Sequence, residues 1–230
     1  FIKFDIRNTN LIDEHLKDMA SPMNSAHVAV LCQKAFPKKS VAIFDGGNTA
    51  VWAQFFYKCT NNASAMGTPK MGMLGAGPGQ AIGAAVARPD EPVYCITGDG
   101  AFGYHTQEVE TAVRNNLNIT FLVLCDLQWG MVKINQQFAL KPIKTIMKKD
   151  FDETETVNTD FGEIKFDKLA ESMGAWGTRV NSPAGLEDAL SKAAPMKGCK
   201  VIHIDVDPLK HMWAPALRTF KKMHEEPKGK

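Results

Sequence analysis

The 230-residue sequence predicts a doubly wound α/β domain, a mostly parallel sheet with helices on both faces. Two observations carry this. Four short, continuous apolar runs end in turn or acidic residues: "KSVAIF" before Asp45-Gly-Gly, "VYCIT" before Gly98-Asp99-Gly100, "ITFLVLC" before Asp126, and "KVIHIDV" at Asp207-Pro208. Between them the apolar spacing turns helical, as in Phe166, Leu169, Ala170, Met173 and again in Leu186, Ala189, Leu190, Ala193. Strands apolar on both faces belong to parallel sheets, whose neighbours need helical crossovers.

Taken in order, residues 1–22 are polar and mixed, and read as a linker or lead-in from a missing N-terminal part. Residues 23–214 form the expected domain. Ser25 is a candidate cap for a first helix carrying Val28, Val30, Leu31 and Phe36. A helix is expected from about Tyr104 to Asn115, between the second and third runs. The acidic segment 148–163, "KKDFDETETVNTDFGE", reads as a mobile loop, either a lid or a solvated connection. Residues 215–230 read as a basic, solvated tail.

Composition narrows the function. The apolar share of 44% and charged share of 23% suit a soluble globule with a real core. A net charge of +2 without a basic stripe argues against nucleic acid. No run approaches the roughly 18–20 apolar residues of a membrane span. The five cysteines form no CxxC pair and read as small buried hydrophobes in a reducing, cytoplasmic setting, with an organelle as the alternative.

The stretch "GMLGAGPGQAIGAAVARPD" at 72–90 is not a dinucleotide fingerprint. GxGxxG fails in both frames, because Gln80 and Ile82 stand where the third glycine belongs, and no clear strand feeds the stretch. A P-loop fails as well, for want of a Gly-Lys-Ser/Thr. Close helix packing and a ligand role both remain open for these glycines.

The two acidic strand ends are more informative. Strand, Gly98-Asp99-Gly100 turn, helix and strand make one βαβ unit, so Asp99 and Asp126 leave the sheet at the same edge. Two carboxylates about 4 Å apart repel by roughly 4 kcal/mol at an effective dielectric near 20. A cation relieves this, and hard oxygen ligands suit Mg²⁺ or Ca²⁺. Glycines at a helix start leave backbone amides free for an anion. Singly, Asp99 reads as a turn residue and Asp126 as a strand terminator; together they point to a metal held between protein carboxylates and a diphosphate.

At this point the stretch resembles the signature of thiamine diphosphate enzymes, Gly-Asp-Gly followed about thirty residues later by an Asn-rich strand end. Asp126 stands 27 positions after Asp99, and "LQWGM" at 127–131 is similar to the segment closing over metal and diphosphate. "DGGNTAVWAQFFY" at 45–57 and the stretch at 72–90 resemble the diphosphate and aminopyrimidine segments of acetolactate synthases and their relatives. Residues 166–190 resemble the closing helix–strand–helix. The likeness covers roughly 23–207 and implies the C-terminal, diphosphate-binding domain of an acetolactate-synthase-like decarboxylase or carboligase.

Carried over, the resemblance implies Mg²⁺ on Asp99, Asp126 and the backbone carbonyl of Gln128. Gly98, Gly100, Ala101, Gly130 and Met131 would contact the diphosphate, joined by Gly47, Asn48 and Thr49. Gly72 and Leu74 would hold the aminopyrimidine, Leu74 as the wedge that bends the cofactor. Two departures stand out. Asp126 replaces the usual Asn, and Asn48-Thr49 replaces the Gln-His of acetolactate synthases. The latter is closer to acyl-CoA lyase and decarboxylase relatives, such as 2-hydroxyacyl-CoA lyase, oxalyl-CoA decarboxylase or aldehyde lyase.

The family's activating glutamate belongs to a separate pyrimidine-binding domain, which no segment here resembles. Glu108 and Glu110 read as helix-surface residues. The chain is therefore expected to be half a site, inactive alone and completed by that domain from the same polypeptide or a partner subunit. A homo-oligomer acting on a 2-oxoacid or acyl substrate, or a non-catalytic degenerate module, is the expected whole. His105 reads as a cap or a substrate contact, Trp129 as a cofactor cover or strand-end packing, and the methionines of "MGMLG" as pocket-wall filler.

Overall fold

Alternation along four central strands decides which helices cover which face. The computed structural model describes residues 14–59, 64–68, 72–147, 155–215 and 217. Its six strands are β1 (Val41–Phe44), β2 (Ala65–Gly67), β3 (Val93–Gly98), β4 (Ile119–Cys125), β5 (Trp176–Val180) and β6 (Cys199–Asp205). They pair in the order β2-β1-β3-β4-β6-β5, and every pairing is parallel.

Ala42, Phe44, Tyr94, Ile96, Leu122, Leu124, Ile202 and Ile204 point to one face. There they meet α1 (Ala26–Ala35), α2 (Asn48–Phe56) and α9 (Pro183–Ala193). The alternate residues Val41, Ile43, Cys95, Phe121, Val123 and Val201 face α3 (Ala76–Ala87), α4 (Asp99–Gly103), α5 (Glu108–Arg114) and α8 (Phe166–Ser172). Phe121 and Leu122 are both fully buried, on opposite faces. Each such side chain contributes about 1.5–3 kcal/mol by burial, and Leu122→Ala would cost about 2–5 kcal/mol through the cavity it leaves.

The order also fixes where a ligand fits. From β1 the chain moves outward to β2, then returns to place β3 on the other side of β1. The helix after β1 therefore covers one face and the helix after β3 the other, which opens a crevice between their carboxyl ends. Three more helices gather at that edge: α6 (Gly130–Leu140), α7 (Pro142–Ile146) and α10 (Pro208–Met212). Ile134 of α6 and Met212 of α10 share a small buried cluster there.

Several local expectations need correction. Ser25 precedes α1 but makes no side-chain cap, because its hydroxyl is committed to His211 instead. The helix expected from Tyr104 to Asn115 starts earlier, at Asp99, and is broken between Gly103 and Glu108. His105 accounts for the break, since its ring Nδ1 reaches the Gly75 carbonyl at 2.8 Å and short turns bridge residues 102–109. Strand β2 has only three residues and no apolar run to mark it. Cys32, Cys95, Cys125 and Cys199 are buried, but Cys59 is exposed.

Two expected appendages contain ordered contacts. Within 14–22, His15 lies edge-on to Trp52, and Asp18 pairs with Lys210 at 2.8 Å. Residues 1–13 lie outside the described residues, as does nearly all of 215–230. Of the expected mobile loop, 148–154 also lie outside. Its remainder is clamped: the Trp129 N–H donates to the Thr159 carbonyl at 2.7 Å, and Gln136 exchanges two hydrogen bonds with Val157. Buried Thr156 and Thr159 anchor it further.

Candidate functional site

Asp99 opens α4 at the carboxyl end of β3, and Asp126 follows the end of the adjacent β4. The ladder pairs Gly98 with Leu124, so both carboxylates leave the same edge. Asp99 Oδ1 accepts from the Gly100 N–H at 2.7 Å, while Oδ2 accepts from the N–H groups of Asp126 at 3.1 Å and Leu127 at 2.9 Å. Presenting both amides bends the chain sharply, and Leu127 takes φ +56. That left-handed conformation is uncommon for a side-chain-bearing residue and marks local strain.

Both carboxylates are buried, at 4% and 8% exposure. Burial pushes Asp99 up to about 6, against the pull of its three backbone partners. Asp126 is driven well above the usual carboxylate range, first by burial and then by the negative charge of Asp99, against the pull of Gln128, whose Nε2 donates to Oδ2 at 3.1 Å, and of its own backbone N–H. A cation between them removes the conflict. The Gln128 carbonyl takes no hydrogen bond among the described residues, so it is free to act as a third oxygen donor. No group of three or more His, Cys, Asp and Glu side chains among the described residues could hold a metal. The available set is thus two carboxylates and a carbonyl, which suits a hard ion that keeps ligand oxygens and water.

Beside this pair lies a cavity of about 360 Å³. Among the described residues its acidic lining is Asp45, Asp99 and Asp126, and no Lys or Arg lines it. Asp45 is already engaged, accepting from the N–H groups of Gly46 at 2.7 Å and Gly77 at 2.8 Å. Helices α2 and α6 both start at the cavity, and neither has a side-chain N-cap bond. Their first N–H groups therefore offer partial positive charge to an anion. Asn48 is 4% exposed, and neither its Nδ2 nor its Oδ1 finds a partner among the described residues. A buried amide costs free energy unless something bonds it, and a polyanionic ligand would.

Two glycines keep this space open. A Cβ on Gly100 would sit 2.6 Å from the Trp129 ring, and one on Gly130 would sit 2.8 Å from Asn48 Nδ2. Only backbone fits at either point. A cation at the carboxylates with an anion over the helix starts is what the residues accommodate.

Residues 45–204 match the family model described as "Thiamine pyrophosphate enzyme, C-terminal TPP binding domain". The chain belongs to that family. Acetolactate synthase of Bacillus subtilis (strain 168) is 32% identical over 194 residues, which is 84% of this chain and 30% of that protein. The acetolactate synthase isozyme 2 large subunit of Escherichia coli (strain K12) is 28% identical over 206 residues, 88% of this chain and 36% of the relative. Human 2-hydroxyacyl-CoA lyase 2 is 33% identical over 118 residues, covering 51% of this chain and 19% of the lyase. The crystal structure of benzoylformate decarboxylase from Polynucleobacter necessarius superposes with a TM-score of 0.67 at 21% identity, over 82% of this chain and 34% of that one, a likeness of fold. The chain spans about a third of the length of the acetolactate synthases it matches.

The TPP-binding domain brings its sequence-selected positions to one place. Gly47, Asn48, Thr49, Gly72, Leu74, Gly98, Gly100, Ala101, Gly130 and Met131 line the cavity, as do Asp99, Asp126 and Gln128. Trp129 lines it too, packed edge-on to Phe161. The stretch at 72–90 does both things left open for it. Gly72 and Leu74 line the cavity, while Gly77 lets α3 approach β1 so closely that a Cβ there would meet Asp45 Cβ at 2.6 Å. Three residues stay outside the cavity. His105 holds the Gly75 carbonyl, Glu110 pairs with Arg114 at 3.1 Å on the surface of α5, and Glu108 lies on the same short helix.

Sequence reasoning missed His211, which is 3% exposed and lines the cavity from α10. No motif surrounds it. Asp45 was legible by the signal that found the other two acids, an aspartate ending an apolar run, but its work inside the TPP domain is to tie β1 to α3.

Proposed function

We propose that Asp99, Asp126 and the Gln128 carbonyl hold Mg²⁺, and that the ion anchors the diphosphate of thiamine diphosphate over the starts of α2 and α6. The observation that carries this is the pair of buried carboxylates on neighbouring strand tips, beside a cavity that has no Lys or Arg lining among the described residues. A diphosphate entering such a site needs a cation to offset three aspartates. Gly100, Ala101, Gly130 and Met131 approach it with backbone, Gly47, Asn48 and Thr49 meet it from the β1 side, and Gly72 and Leu74 hold the aminopyrimidine.

Thiamine diphosphate, when bound, supplies carbanion chemistry at a carbonyl carbon. The chain's residues bind it, shape it and exclude water: Leu74 wedges it and Trp129 shields the metal side. The activating glutamate comes from a pyrimidine-binding domain of the same polypeptide or of a partner subunit in a homo-oligomer. The assembled protein is then a 2-oxoacid decarboxylase or carboligase of the acetolactate synthase kind, a reading supported by the Bacillus subtilis relative. Asn48-Thr49 favours a second reading, a 2-hydroxyacyl-CoA lyase, with support from the human lyase relative.

Calorimetric titration of the protein with thiamine diphosphate should give saturable heat only when Mg²⁺ is present. No heat at millimolar cofactor with Mg²⁺ would remove the binding reading. Assaying acetolactate formation from pyruvate against cleavage of a 2-hydroxyacyl-CoA then separates the two activities.

A further inference from the structure

His211 lines the cavity, is buried, and touches two hydroxyls. Its Nδ1 lies 2.6 Å from Ser25 Oγ and its Nε2 lies 3.1 Å from Thr49 Oγ1. The backbone is fixed as well, since Trp52 Nε1 donates to the His211 carbonyl at 2.8 Å. Ser25 and α10 are brought together by the Met23–Val206 bridge, in which the Asp207 N–H donates to the Met23 carbonyl at 3.2 Å. Burial lowers the ring to about 3, so it is neutral at ordinary pH and carries a single N–H.

A neutral ring between two hydroxyls has two arrangements. With the proton on Nδ1, the ring donates to Ser25 and accepts the Thr49 proton, which leaves Thr49 only lone pairs for the cavity. The Ser25 proton then has no acceptor, because Ser25 Oγ has no other partner among the described residues. With the proton on Nε2, Ser25 donates to Nδ1, the ring donates to Thr49 Oγ1, and the Thr49 proton remains for an acceptor in the cavity. Every group is then used, and Thr49 faces an anion as a donor.

We infer that His211 is a positioning residue: it fixes the Thr49 hydroxyl as a hydrogen-bond donor to the anionic ligand of the cavity, through a Ser25–His211–Thr49 chain. The inference rests on the thiamine diphosphate reading above and adds a residue from beyond the segment that matches the family.

Nitrogen-15 spectra of the histidine-labelled protein, with thiamine diphosphate and Mg²⁺, test it directly. A pyrrole-type shift at His211 Nε2 and a pyridine-type shift at Nδ1 are expected. A proton on Nδ1 in the bound state overturns the inference. By calorimetry, His211→Phe should weaken cofactor binding about tenfold, and His211→Gln, whose amide can donate to Thr49, should recover most of it. Thr49→Val should weaken wild type equally but add nothing in the His211→Phe background. Undiminished binding by His211→Phe, or full additivity of the two changes, overturns the inference while leaving the cofactor reading intact. Failure of wild type to bind with Mg²⁺ sinks both, and the two failures are thereby told apart. The spectrum of wild type needs no variant to fold.

Discussion

Asp99 Oδ2 accepts the backbone N–H of Leu127 at 2.9 Å, across 28 residues of sequence and two adjacent strand tips. The carboxylate that would grip a cation thus also shapes the loop that offers the other oxygen donors. Removing it should have two separable effects. Asp99→Ala orphans three backbone N–H groups, a loss of about 1–3 kcal/mol in unfolding free energy for a buried donor left unpaired. It should also abolish Mg²⁺-dependent cofactor binding. Urea unfolding reads the first effect and calorimetry the second; a variant that binds thiamine diphosphate as wild type does removes Asp99 from the metal set.

Asp126→Asn should separate charge from shape. In the metal-free protein both acids are raised, Asp99 to about 6 and Asp126 well above the usual carboxylate range. A carboxylate whose folded-state pKa is raised contributes stability that is fully present below its unfolded value, near pH 4, and lost as pH rises through the folded value. Without divalent cation the wild type should therefore lose stability between about pH 4 and pH 7 from this pair. The Asn variant should show a flatter profile and be more stable than wild type at pH 7–8. Melting curves in a chelator across that range check it. The same change keeps an oxygen donor, so Mg²⁺-dependent cofactor binding should persist.

Gly100→Ala places a methyl where the Trp129 ring lies, 2.6 Å away. The ring must move, and it lines the cavity beside Gly130. The expected cost is about 1–3 kcal/mol of stability from overpacking, with at least a tenfold loss of cofactor affinity. Tryptophan fluorescence should shift in the free protein; an unchanged spectrum with unchanged affinity would show that the ring has room the packing denies.

What the sequence disclosed follows from which signals are local. Strands β1, β3, β4 and β6 were legible because each is buried on both faces and so reads as an unbroken apolar run. Asp99 and Asp126 were legible because a tight turn at a parallel strand tip puts function at the same place in every such sheet. β2 was not, since three edge residues carry little pattern. The break after α4 was hidden for another reason: it depends on His105 reaching Gly75, thirty residues away. His211 was invisible for that reason too, because its meaning comes from Ser25 and Thr49, residues 186 and 162 positions distant.

Asn48 gives the sharpest test of whether the cavity is built for a ligand. Both polar atoms of its buried side chain are unpartnered among the described residues, and its Nδ2, like Asp126 Oδ2, stands over Gly130. An amide kept in that condition opposes folding of the free protein, because its water-bonded state in the unfolded chain is lost without replacement. Truncation to Ala removes the unmet amide and leaves only a small void, so the two effects oppose each other. Asn48→Ala should thus change unfolding free energy by less than about 1 kcal/mol in the absence of ligand. Cofactor affinity should fall at least tenfold, since the bond lost there is to a charged oxygen. The stabilising shift in melting temperature that thiamine diphosphate and Mg²⁺ give wild type should shrink with it, as mass action requires. If Asn48→Ala instead destabilised the free protein by several kcal/mol and bound cofactor normally, the amide would be a packing element, and the β1 side of the cavity would not contact the diphosphate through it.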